Sequence, residues 1–243
     1  TAAKHGKRVQ ALGGAKNHLV VTPGANIEKT VEAIISSSFG AAGERCLAGS
    51  VLVPVGDVAE PLLDLLVETT KKMKVGDGMQ AGVDMGPVVT DDHRKKIVGY
   101  IEKGVAEGAT ALTDGRNSSQ EGYFVGPTIF DHVTPEMTIA KEEIFGPVLS
   151  VIRVKTLDDA IDLVNSSKFG NTTSIFTSDG KSAREYASRI ECGMVGVNIG
   201  VAAPMAFFPF SGWKNSFFGD LHAHGKDAGA FYTEQKVIMT RWF

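Results

Sequence analysis

Between residues 18 and 199 the chain alternates between two kinds of apolar pattern, and this alternation most limits what it can fold into. "HLVVT" (18–22), "SVLVPV" (50–55), "ATALT" (109–113), "PTIFDHV" (127–133), "PVLSVIRV" (147–154), "TTSIFT" (172–177) and "MVGVNI" (194–199) are short runs suited to buried strands. Between them the spacing becomes helical. Ile27, Val31, Ile34, Ile35 and Phe39 follow Asn26, a suitable N-cap. Asp57 heads a second helix, through about Lys74, with Leu62, Leu65, Leu66 and Met73 inward. Thr90 heads a third, to about Glu107, and residues 157–164 and 181–190 form two more. A regular strand–helix alternation predicts an α/β fold, a Rossmann-like parallel sheet with helices on both faces. Such sheets bind ligands at the carboxyl ends of strands and the amino ends of helices, so chemistry is expected there. A final strand is expected in "KVIMTRW" (236–242).

Charge and composition exclude several classes of function. A formal net charge of −3 with no basic run gives nucleic acid nothing to bind. No apolar stretch approaches the roughly 20 residues of a membrane span. The two cysteines, Cys46 and Cys192, form no CxxC pair or disulfide framework, and no signal peptide is recognisable. A reducing, cytoplasmic setting is the expectation. "TAAKHGKRVQ" lacks an initiator methionine and leads at once into structured sequence, which suggests numbering that begins inside a longer protein.

Cys46 has unusual neighbours. In "FGAAGERCLAGS" (39–50) it is surrounded by glycine and alanine and directly follows Arg45. Small residues open an approach to sulfur, and a nearby cation favours the nucleophilic thiolate. The alternative is a small core residue at a helix end. Cys192, in "RIECGMV", reads as structural. "HAH" (His222, Ala223, His224) lacks an evident third metal ligand, so no metal is expected. "DDHRKK" (91–96) reads as a solvated helix face. Phe207, Phe208, Phe210 and Trp213 suit a pocket wall and a core or interface equally.

Together "ALGGAKN", "GERC", "GYFVGPTIF", "EEIFGPV" and "PFSGWKNS", in this order and spacing, resemble the aldehyde dehydrogenase superfamily. The resemblance covers essentially the whole chain but only the C-terminal half of a typical member. It implies that residues 1–25 end an NAD-binding domain, 26–220 form the catalytic domain and 221–243 an oligomerisation segment. It implies Cys46 as the nucleophile, NAD as cofactor, Glu143 and Phe145 at the nicotinamide ribose and ring, and Gly13 in a turn near nicotinamide. It also implies a homodimer or homotetramer. Most of the NAD-binding half and the family's oxyanion-hole asparagine would lie outside these residues, and no GxGxxG is present to bind a dinucleotide independently.

One departure from the family refines this reading. Hydrolytic members carry a glutamate at the head of the "LGGK"-like motif, where it activates water. Here Ala11 or Leu12 takes that place, and no Asp or Glu precedes Glu28. An acceptor bringing its own nucleophile, such as coenzyme A, needs no such base. With "GAKNH" and "PMAFFPFSGWKNSFFG", this resembles the CoA-acylating methylmalonate-semialdehyde dehydrogenase branch. That branch uses an arginine at the position of Arg45 to grip the substrate carboxylate, and Phe210 would line the pocket. The alternative for Arg45 is a structural role at a helix end. A hydrolytic NAD-dependent aldehyde dehydrogenase, or a catalytic half that is inactive alone and serves only as an interaction module, are the competing readings.

Overall fold

The structure is a computed structural model, and it describes residues 1–117 and 120–243. In chain order the elements are β1 (Ala11–Leu12), β2 (Asn17–Val21), α1 (Ile27–Phe39), β3 (Gly49–Pro54), α2 (Ala59–Lys71), α3 (Asp91–Ala106), β4 (Thr110–Thr113), β5 (Thr128–Asp131), α4 (Thr138–Lys141), β6 (Val148–Val151), α5 (Leu157–Ser166), β7 (Phe169–Gly170), β8 (Thr172–Phe176), α6 (Gly180–Arg189), β9 (Met194–Val197), β10 (Trp213–Lys214), β11 (Phe217–Phe218) and α7 (Gly225–Tyr232).

Seven strands form one sheet in the order β4-β5-β6-β3-β2-β8-β9. Six are parallel, and β4 pairs antiparallel with β5. The expected α/β fold with a parallel sheet is present, and the one antiparallel pair lies at an edge, where successive strands pair directly. The path from β2 to β3 runs toward one edge, and that from β6 through β8 to β9 runs toward the other. Right-handed crossovers then put α1 on one face and α5 and α6 on the opposite face. Burial on both faces explains the unbroken apolar runs: Val20, Val21, Val51, Leu52, Val53, Ile175 and Leu149 are fully enclosed.

Local signals set several helix starts. Asn26 accepts the Lys29 N–H at 3.0 Å, and Thr90 accepts that of His93 at 3.2 Å. Thr156 and Asp159 form a reciprocal capping box on α5. Asp57 does not cap α2. It lies within a 3-10 turn, Gly56–Val58, and α2 begins at Ala59 and ends at Lys71.

β2, within residues 1–25, lies between β3 and β8 at the centre of the sheet. One further expectation changes. Residues 236–242 form no strand: Val237, Ile238, Met239 and Trp242 are exposed, and no strand among the described residues pairs with them. Two short ladders, β1 with β11 and β7 with β10, bring the aromatic segment after residue 204 to the "LGGA" turn and to the start of β8.

These burial differences predict contrasting stability effects. Leu52→Ala in the central strand is expected to cost about 2–5 kcal/mol in urea unfolding. Val237→Ala, in the exposed tail, is expected to change stability by less than about 0.5 kcal/mol. Comparable effects at the two positions would contradict the described core.

Candidate active site

Cys46 and Phe145, singled out from the sequence, and two asparagines that were not lie along one edge of the sheet, and it is the amino edge. Asn17 opens β2, Cys46 precedes β3 by three residues, Phe145 precedes β6 by three, and Asn171 immediately precedes β8. Chemistry was expected at the carboxyl ends. The cysteine and its neighbours instead lie in the loops entering the parallel strands.

The segment after α1 takes a costly path. Ala41, Ala42 and Gly43 have φ of 52°, 52° and 71°, three left-handed residues in succession. Only glycine adopts this freely. At Gly43 a side chain is excluded twice, because a Cβ would also overlap the Gly146 carbonyl. The turn releases the chain toward β3 with Cys46 exposed while Leu47 and Ala48 are buried.

Two amides hold this turn. Asn17 Nδ2 and Asn171 Nδ2 each donate to the Cys46 carbonyl at 2.9 Å. Asn17 Nδ2 also donates to the Ala48 carbonyl at 2.8 Å, and its Oδ1 accepts the Thr172 N–H at 3.3 Å. Ser37 Oγ accepts the Gly49 N–H at 3.0 Å and donates to the Gly200 carbonyl at 2.6 Å. Neither asparagine was singled out from the sequence. The available signal was an amide at the head of each of two buried strands, in "KNHLVV" and "GNTTSIF".

Arg45 is placed by the end of α1. Its Nη2 donates to the Ser36 carbonyl and, at 3.0 Å, to the Ser37 carbonyl, and the guanidinium packs over Gly40. The Ser36 carbonyl also accepts the Gly40 N–H, so the guanidinium adds a second donor at the closing turn of α1. Nε is buried without a hydrogen bond. A capping role is therefore present in the geometry, and only the remaining edge of the guanidinium faces other demands.

Glu143 and Phe145 lie across from the cysteine turn. Ala15, Asn17, Gly43, Arg45, Glu143 and Phe145 border one cleft. The partly buried carboxyl of Glu143 is pushed above the usual carboxylate range by burial, against the pull of the Ala15 amide and Lys16. Phe145 has φ of 58° and a ring 40 % exposed. Lys16, next to Ala15, is buried and its Nζ has no hydrogen bond. Burial pushes its amine down to about 7, against the pull of Glu143 and Glu142.

Gly13 sits where two backbones meet. Its N–H donates to the Ser216 carbonyl at 2.9 Å, and a Cβ would overlap the Asn215 carbonyl. Ser216 Oγ ties the same turn down by donating to the Gly14 carbonyl at 2.7 Å. Ala11 and Leu12 are exposed in β1.

Phe210 bonds through its backbone to Ala223 and lies edge-on to the His224 ring. Phe207, Phe208 and Trp213 are exposed, so no core role is seen for them here. His222 stacks on Phe217 with ring centroids 4.4 Å apart, and its backbone N–H donates to the Asp227 carboxylate at 3.0 Å. No group of three or more His, Cys, Asp or Glu suited to a metal occurs among the described residues. No helix among them is long and apolar enough to cross a membrane.

The two thiols differ physically. Cys46 is exposed, whereas Cys192 is buried and burial pushes its thiol up to about 11. Iodoacetamide at neutral pH is therefore expected to label Cys46 at least about tenfold faster, read by peptide mapping. Preferential labelling of Cys192 would contradict the described exposure.

The aldehyde dehydrogenase family model matches residues 1–238. The chain is 54% identical over its whole length to a malonate-semialdehyde dehydrogenase of Halalkalibacterium halodurans and covers 50% of that protein. It is 55% identical to malonate-semialdehyde dehydrogenase 1 of Geobacillus thermodenitrificans, again over its whole length and 51% of the relative. Among solved structures, a methylmalonate-semialdehyde dehydrogenase from Oceanimonas doudoroffii superposes with a TM-score of 0.96 at 49% identity, covering 99% of this chain and 50% of the other. A putative methylmalonate-semialdehyde dehydrogenase from Sinorhizobium meliloti, complexed with NAD, gives 0.96 at 45% identity, with the same coverages. The chain spans about half the length of these relatives. On the strength of its sequence and its fold, it belongs to the aldehyde dehydrogenase family.

Proposed function

We propose that this chain carries the catalytic cysteine of an NAD-dependent, CoA-acylating dehydrogenase acting on malonate or methylmalonate semialdehyde. The observation that carries this is the exposed Cys46 on a backbone fastened by Asn17 and Asn171, in a turn whose Gly43 and Arg45 border one cleft with Glu143 and Phe145.

The cleft suits the nicotinamide end of NAD. Phe145 offers an exposed ring face, Glu143 a partly buried carboxylate for ribose hydroxyls, and the glycines of the two loops keep the walls thin. Bound there, NAD supplies an acceptor for the aldehyde hydride. Cys46 attacks the aldehyde carbon as thiolate and forms a thiohemiacetal. Loss of hydride leaves a thioester on Cys46. The substrate carboxylate now lies β to that carbonyl, which accepts the electron pair released with CO2. Protonation of the resulting enolate gives acetyl or propionyl on sulfur. The thiol of coenzyme A then displaces Cys46.

The transfer to CoA rather than water is supported by Ala11 and Leu12. Neither side chain accepts a proton, so water lacks its family base. With NAD and semialdehyde, the intact enzyme is expected to release acyl-CoA when CoA is present and to stall after one turnover per site without it. Cys46→Ser should abolish both while the protein stays folded. Fast release of free acid without CoA would favour the hydrolytic alternative.

Arg45 serves two partners in this reading. Nη2 holds the end of α1, and Nη1, which has no hydrogen bond among the described residues, meets the substrate carboxylate. Arg45→Leu is thus expected to lower kcat/KM for every aldehyde by loosening the turn. It should cost malonate semialdehyde about 10- to 100-fold more than acetaldehyde, the loss of a charge-assisted hydrogen bond. Equal losses would confine Arg45 to the helix end.

A further inference from the structure

His93 takes no part in the chemistry assigned to Cys46, yet it stands between the two loops that form the cleft. It belongs to "DDHRKK", which reads as a solvated helix face. Asp91, Arg94 and Lys95 fit that description and pair with one another at the surface. His93 does not: its side chain is 16 % exposed and turned toward the sheet edge.

Its Nε2 lies 2.6 Å from the Phe145 carbonyl and 3.4 Å from Glu44 Oε1. Both are acceptors, so Nε2 carries the hydrogen in either protonation state. Glu44 precedes Cys46 by two residues, and its Oε1 also accepts the Val89 N–H at 3.3 Å. The imidazole is anchored in turn, because the His93 N–H donates to Thr90 at the capped start of α3. One ring nitrogen thereby touches the loop of the exposed Phe145 ring and the loop of the nucleophile.

The surroundings make this a joint with little slack. Phe145 is held in a left-handed conformation that a bulky residue adopts only under constraint. A Cβ on Gly43 would overlap the Gly146 carbonyl, so the two loops are in direct backbone contact. Behind them, a Cβ on Gly146 would lie 2.6 Å from Ile97 of α3, one helical turn after His93. A shift of either loop must move the other or break the His93 bonds.

We infer that His93 is a positioning residue that couples the Phe145 loop to the Cys46 loop through the Phe145 carbonyl and Glu44, so that nicotinamide occupancy and thiol reactivity are linked. This rests on the reading that Phe145 faces nicotinamide. Linkage of this kind is reciprocal: a cofactor that settles Phe145 alters Cys46, and a modified Cys46 alters cofactor affinity by the same factor.

The test follows Cys46 alkylation by iodoacetamide in the intact enzyme, without and with saturating NAD, beside calorimetric NAD binding and melting temperature. In the unmodified enzyme NAD is expected to change the alkylation rate by at least about fivefold. In His93→Leu the change should shrink below about twofold, and His93→Gln, whose amide can donate to the Phe145 carbonyl, should restore most of it. Glu44→Ala cuts the link from the cysteine side and should reproduce the loss, which decides the matter should His93→Leu fail to fold. A full NAD response in folded His93→Leu or in Glu44→Ala overturns the coupling. Unmodified enzyme that binds NAD but alkylates at an unchanged rate overturns the coupling alone. Unmodified enzyme that binds no NAD overturns the cofactor reading along with it.

Discussion

Two asparagine amides converging on the Cys46 carbonyl are the constraint on which the rest of the site depends. Asn17 opens β2 and Asn171 precedes β8, so their bonds tie the cysteine turn to two neighbouring strands at the sheet centre. The turn needs such ties. Three successive left-handed residues cost of order 1–3 kcal/mol at each non-glycine position, and isolated loops do not retain them. Asn17 spends both amide hydrogens on backbone carbonyls, leaving no donor for a ligand, and its oxygen accepts the Thr172 N–H. Backbone rigidity and side-chain exposure are thereby separated. The carbonyl of residue 46 is fixed while its thiol faces outward, the arrangement a nucleophile needs to meet a substrate without first being ordered.

Placement at the amino edge has an electrostatic consequence. The helix that delivers the chain to Cys46 is α1, and it arrives by its carboxyl end, which carries partial negative charge. A helix amino terminus is the usual device for favouring a thiolate, and it is not the one used here. Arg45 instead lies over that carboxyl end, bonded to the Ser36 and Ser37 carbonyls. The residue before Cys46 thus anchors the helix end, which makes adjacent placement of arginine and cysteine intelligible without invoking substrate.

Much of this was legible in the sequence where the cause is local. The runs that become β2, β3 and β8 announce themselves because burial on both faces favours apolar and β-branched residues, with the buried hydroxyl of Thr173 donating to the His18 carbonyl. Asn26 and Thr90 announce α1 and α3 because a cap acts over three residues. Where the cause is distant, the sequence was mute or misleading. Asp57 resembles a cap but falls in a 3-10 turn. The reversal of β4 depends on which strand it meets, and the tail at 236–242 has strand composition without a strand to pair with. Chemistry at the amino edge depends on which ends of the strands the loops approach, and no local motif records that. Arg45 was read mainly as a carboxylate grip, and the carbonyls at the end of α1 supply a second role. His93 was hidden inside a charged run, because the partners that distinguish it, Glu44 and the Phe145 carbonyl, lie 49 and 52 residues away.

The account stands or falls on whether Cys46 carries the acyl group. The direct measurement is mass spectrometry of the intact enzyme, quenched in acid after incubation with NAD and malonate semialdehyde in the absence of CoA, followed by peptide mapping. The account predicts an acetyl adduct on the peptide containing Cys46, at up to one per chain, and its disappearance on addition of CoA with matching formation of acetyl-CoA. An adduct on another residue, or turnover with no adduct on Cys46 at any time, would contradict it.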